Sequence, residues 1–165
     1  MFQSGEYVVY GVHGVCCVKG CEKQTVNRKR VEYLVLEPVG NGESRYYVPT
    51  ASEAAMGKLK PVLSPEELTV LLTSDEIRQG EWIAEDNQRK QYYRELIGSG
   101  DRVSILKMVC ALYRYKEEQT AAGRKFHLAD DNFLRDAEKF LSSEISLVLE
   151  KTPEEARHYL REQLK

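Results

Sequence analysis

Near residue 64 the sequence changes its period, and that change limits the chain to one broad architecture. Ser64-Pro65-Glu66-Glu67 reads as a helix start: a cap serine, proline at the first helical position and a glutamate three residues after the cap. Before it, short β-branched and aromatic runs alternate with turn residues. After it, apolar residues recur at helical spacing. Strands first and helices afterwards, without alternation, give an α+β chain with segregated modules.

The strand-like runs are Tyr7–Tyr10, Val15–Val18, Val31–Leu36 and Arg45–Pro49. Gly11-Val12-His13-Gly14 and Gly40–Ser44 read as turns. A polar hairpin is expected between Cys21 and Arg30, with Asn27–Arg30 at or near its tip. Short strands this closely spaced build a small barrel or a curled antiparallel sheet. Downstream, Trp82 to Ile97 reads as one helical segment. Asp101 caps a helix whose apolar face carries Val103, Leu106, Val109, Cys110 and Tyr113. Phe133 to Val148 marks another, and Thr152-Pro153-Glu154-Glu155 starts a last one. The expected division is a β module over 1–62, a linking helix over 63–80 and a helical module over 81–165.

Charge is nearly balanced, with 24 Lys and Arg against 26 Asp and Glu, but its distribution is uneven. Residues 78–125 hold 10 basic and 7 acidic side chains and form the one basic stretch. Any phosphate contact belongs there and is salt-sensitive, although a solvated helix surface has the same composition. Cys16, Cys17 and Cys21 with nearby His13 do not match the spacing of a zinc site, and ordinary thiols are expected. The opening residues lack the basic and apolar segments of a secretory leader. No run approaches the ~20 apolar residues of a membrane span, so the cytoplasm is the expected location. There is no phosphate-binding glycine loop, nucleophile elbow or His-Glu-x-x-His motif. An enzyme is not expected.

Phe2-x-x-Gly5-x-x-Val8-Val9-Tyr10-x-x-His13-Gly14-Val15, then Tyr33–Leu36, then Tyr47-Val48-Pro49, resembles the N-terminal domain of the CarD/CdnL family of transcriptional regulators, a domain shared with transcription-repair coupling factors. Ser99-Gly100-Asp101, Leu112-Tyr113, Ala137-x-x-x-Leu141 and Glu144-x-x-Leu147-Val148-Leu149 resemble the helical C-terminal domain of that family. The resemblance implies a Tudor-like module that binds the β subunit of bacterial RNA polymerase, partly by edge-strand pairing. It also implies a helical module that stabilises the promoter open complex at the upstream edge of the bubble. There an exposed tryptophan wedges at the minor groove, and no particular sequence is read.

Carried onto this chain, the polymerase-binding residues are Gln24, Thr25, Val26, Asn27 and Tyr47, although relatives often carry basic residues where Gln24 and Tyr47 stand. The DNA-binding residues are Trp82, Arg89, Lys90 and Arg94, with Arg114 and Lys116 as secondary candidates. Relatives place paired arginines just after the tryptophan, whereas here Glu85-Asp86-Asn87-Gln88 intervenes. Three other readings stay open: Trp82 packing within the helical module, a protein-protein adaptor that never touches DNA, and a thiol or zinc protein. The chain is expected to act as a monomer without cofactor, metal or membrane contact.

Overall fold

Five antiparallel strands form the first part of the computed structural model, which describes residues 2–40 and 42–165. They are β1 (Tyr7–Tyr10), β2 (Val15–Val26), β3 (Lys29–Pro38), β4 (Tyr46–Pro49) and β5 (Leu59–Pro61), in the order β4-β3-β2-β1-β5. The sheet stays open, with β4 and β5 as its edges. Of the two forms the sequence allowed, the closed barrel is therefore excluded. Val8, Cys16, Val18, Leu34, Leu36 and Val48 are completely buried on its core face, with Phe2, Tyr10 and Tyr46 packed against them. Each of these buried valines and leucines contributes roughly 1.5–3 kcal/mol on leaving water.

β2 and β3 run further than their apolar content indicates. They pair continuously from Cys16↔Pro38 to Val26↔Lys29, with a bulge between Val18 and Gly20. Gly20 has φ 134°, which suits glycine and lets the ladder shift by one residue. The turn is tighter than expected. Asn27 and Arg28 alone make it, with φ of 52° and 66°, the two left-handed positions of a two-residue hairpin. Lys29 and Arg30 already belong to β3. A short helix, α1 (Glu53–Met56), capped by the Ser52 side chain, leads into β5.

The chain separates into two units, Met1–Val62 and Leu63–Lys165. The second holds α2 (Pro65–Thr73), α3 (Asp86–Ser99), α4 (Arg102–Ala121), α5 (Leu128–Val148) and α6 (Pro153–Leu164). Ser64 and Thr152 form complete capping boxes, and the Asp101 side chain caps α4. Residues 63–80 are not one linking helix. They form α2 and a 3-10 turn at Glu76–Gln79, and Arg78 donates to the Gln163 carbonyl of α6 at 2.8 Å. Nor does Trp82 begin a helix. Glu85 caps α3, accepting from the Asn87 and Gln88 N–H groups, so residues 81–84 precede the helix as irregular chain.

α5 ties the helical unit together through buried carboxylates. Asp130 pairs with Arg89 of α3 at 2.9 Å, Glu138 with Arg161 of α6 at 2.8 Å, and Glu144 with Arg102 of α4 at 2.7 Å. Glu144 also accepts the Leu63 N–H at 2.9 Å. Among the described residues no helix is long and apolar enough to cross a membrane.

Candidate functional site

β1 covers only the first part of β2. Its pairing runs to Tyr7↔Cys17, and the bonds from Gly5 N–H to the Val18 carbonyl and from Val18 N–H to the Glu6 carbonyl, both 2.8 Å, extend it slightly. The Ser4 hydroxyl donates to the Lys19 carbonyl at 3.2 Å. From Gly20 to Val26, no described strand lies on the side of β2 away from β3. Gln24, Thr25 and Val26 occupy that edge and Asn27 follows in the turn. Gln24 and Val26 share a sheet face with Tyr33 and Tyr47, by the alternation of β3 partners, while Thr25 points to the other face. Tyr47 is 44% exposed and meets Tyr33 edge-on, with ring centroids 6.2 Å apart. It sits on edge strand β4, across β3 from the hairpin. The five residues therefore divide between two edges of one sheet.

In the helical unit, Trp82 lies in a groove walled by Ala111, Arg114, Tyr115 and Glu118, one face of α4 at helical spacing. Its ring stacks on Tyr115 at 3.7 Å and 13°, and the Arg89 guanidinium carbon stands 4.4 Å from its centroid. A nearly parallel ring at that distance fills the face it covers, so the guanidinium occupies the other face. The indole is half-buried, with its two faces held and its rim left to contact anything outside. Its backbone is held as well. Arg114 donates to the Gly80 carbonyl, and Arg89 donates to the Ile83 carbonyl at 2.9 Å. A methyl group at Gly80 would clash with the Lys107 carbonyl oxygen, so the segment bearing Trp82 approaches α4 as closely as only glycine permits.

The cations sort differently from their sequence order. Arg89, expected at a phosphate, is 2% exposed. It makes a two-bond pair with Asp130 and a further bond to Asp86, so its charge is already matched by carboxylates. That bond, and then the charge behind it, holds the Asp86 carboxyl below the usual carboxylate range. Lys90 and Arg94 stand one turn apart on α3, off the buried face of Arg89, Tyr93 and Ile97. Arg114 joins the Trp82 groove. Lys116 pairs with Asp131 at 3.3 Å and lies 5.4 Å from the centre of the Phe126 ring. Phe126 in turn stands 6.4 Å from Tyr115, extending an aromatic row from Trp82. The loop beside Phe126 presents exposed Arg124 and Lys125. Tyr115, Arg124, Lys125 and Phe126 are not among the residues expected from the sequence, although a basic pair beside an aromatic residue in a loop is a readable signal.

Among the described residues no three His, Cys, Asp or Glu side chains come together as a metal site requires. Burial, then neighbouring Cys17, pushes the Cys16 thiol up to about 11, which disfavours the thiolate a metal needs. His13, in a 3-10 turn, packs on Tyr46 and Tyr10 at 4.3 and 5.0 Å.

Both units match family models. Residues 2–60 match the CarD-like/TRCF RID domain, and residues 68–161 match the CarD C-terminal domain. With both domains present in order over nearly its whole length, the chain belongs to the CarD/CdnL family, non-enzymatic bacterial transcription factors that interact with RNA polymerase.

Proposed function

We propose that the chain docks on the β subunit of RNA polymerase through the free edge of β2 and stabilises the promoter open complex through its helical unit. The observation that carries this reading is the strand edge from Gly20 to Val26. Its main-chain groups can extend a partner's sheet whatever the side chains, while Gln24, Val26 and Tyr47 set the fit on one face and Thr25 and Asn27 at the rim. The departures from basic residues at Gln24 and Tyr47 then cost side-chain contacts and leave the main-chain contact intact.

Trp82 is the candidate wedge at the upstream edge of the bubble, and its exposed rim would meet a distorted step in the minor groove. Lys90, Arg94, Arg114 and Lys116 are the cations for the backbone, joined by Arg124 and Lys125. Arg89 leaves this set because its charge is already neutralised. Such contacts read shape and charge rather than sequence. The protein is expected to act as a cytoplasmic monomer, without cofactor, held at the nucleoid by polymerase.

The test uses the full chain. Val26→Glu, at a position 40% exposed, should weaken binding to purified polymerase. Trp82→Ala should leave that binding intact and shorten open-complex lifetime. Retained binding by Val26→Glu would count against the edge.

The second reading, an adaptor without DNA contact, is favoured by Glu85 and Asp86, exposed carboxylates close to Trp82 that repel phosphate. Duplex binding that weakens steeply with salt decides for the DNA reading, and no duplex binding decides for the adaptor.

A further inference from the structure

We propose that Asp130 is the positioning residue for the Trp82 side chain, acting through Arg89. The functional consequence rests on the DNA reading above, whereas the positioning itself rests on geometry alone.

Asp130 is completely buried. Its two carboxylate oxygens receive the Arg89 Nε and Nη2 groups at 2.9 and 3.1 Å, a two-point contact that fixes the plane of the guanidinium. That plane has further duties. Nη2 also donates to Asp86 at 2.8 Å, and Nη1 donates to the Ile83 carbonyl at 2.9 Å, the residue after Trp82. Its carbon lies 4.4 Å from the centroid of the indole, whose other face is taken by Tyr115. One guanidinium thus touches both the ring of Trp82 and the backbone beside it, and Asp130 sets where that guanidinium lies. Without the Asp130 carboxylate a nearly buried cation keeps, among the described residues, only the exposed Asp86 as counter-charge. It would gain by turning toward water, and both of its holds on the Trp82 segment would go with it.

A merely structural role, joining α3 to α5, predicts something different. Loss of Asp130 would then lower stability and leave Trp82 where it is. The chain reports on this directly, because Trp82 is its only tryptophan. Its emission and its quenching by acrylamide describe that one side chain in the intact protein. The matched control is Glu144→Gln, which weakens another buried pair of the same bundle, Glu144 with Arg102.

Asp130→Asn is expected to shift the emission to the red and to raise the acrylamide quenching constant by about twofold or more, at temperatures where circular dichroism shows the helices retained. Asp130→Glu, which keeps a carboxylate, should restore part of the change, and Glu144→Gln should leave the quenching constant unaltered. If Asp130→Asn does not fold, the Arg89→Gln/Asp130→Asn pair removes both charges together and should free Trp82 in the same way. Unchanged emission and quenching in a folded charge-removing variant would overturn the proposal, as would an equal rise in Glu144→Gln. On polymerase and promoter, Asp130→Asn should shorten open-complex lifetime toward that of Trp82→Ala. A normal lifetime in Trp82→Ala would end the DNA reading while the fluorescence result still decides the positioning.

Discussion

The β unit keeps charge out of its interior and the helical unit brings it in. Among the described residues, every buried charged side chain belongs to helices α3 and α5, namely Arg89, Asp130, Glu138 and Glu144. Among the described residues of the β unit, the buried side chains are apolar ones and the Cys16 thiol. The contrast follows from how each unit satisfies its backbone. Strand pairing fixes both the hydrogen bonds and the placement of neighbouring strands, so the sheet needs only an apolar face. A helix satisfies its own backbone and leaves its setting against other helices to its side chains. Directional pairs from α5 to α3, α4 and α6 supply that setting here, and one of them reaches the proposed working residue, Trp82.

The largest expected effect tests the charged unit. Glu144→Ala should cost roughly 3–5 kcal/mol, because it takes the paired carboxylate from a largely buried guanidinium and the acceptor from the Leu63 N–H. Replacing the pair together, Arg102→Met with Glu144→Leu, should recover most of it in chemical denaturation. In the β unit, Leu34→Ala removes a completely buried side chain and should cost about 2–5 kcal/mol, little altered by salt. A strong salt dependence there would break the contrast. Gly80→Ala should cost roughly 1–3 kcal/mol by overpacking against Lys107, and it should also raise quenching of Trp82.

The smallest effect belongs to His13. Burial, and then the charge of Lys58, lowers its pKa in the folded protein. The unfolded chain therefore binds the proton more readily, and stability falls as pH drops below about 6.5 toward the folded-state value. His13→Gln should flatten this slope in thermal unfolding measured across that range.

What could be read from the sequence divides along the same line between local and distant causes. The helix starts at Ser64, Asp101 and Thr152 were legible because each is written within four residues. The full length of β2 and β3 was not, because Lys19–Gln24 carries no apolar alternation and is held by its partner strand. Arg89 shows the limit most clearly. Counted along the chain it is a surface cation next to Lys90, and its true partner lies 41 residues on. The stacking of Trp82 on Tyr115 likewise depends on how the segment after α2 crosses α4, which no local motif encodes.

The projecting hairpin has a consequence for crowding as well as recognition. An open strand edge invites any strand, including the same edge of a second copy, and long unpaired edges are where chains stick to themselves. Residues 20–32 carry four cations, Lys23, Arg28, Lys29 and Arg30, against two carboxylates, Glu22 and Glu32. Two such hairpins, each with an excess of two cations, repel each other overall, while a neutral or acidic strand meets no such penalty. That net charge works against homotypic assembly of the open ribbon and favours an acidic partner strand.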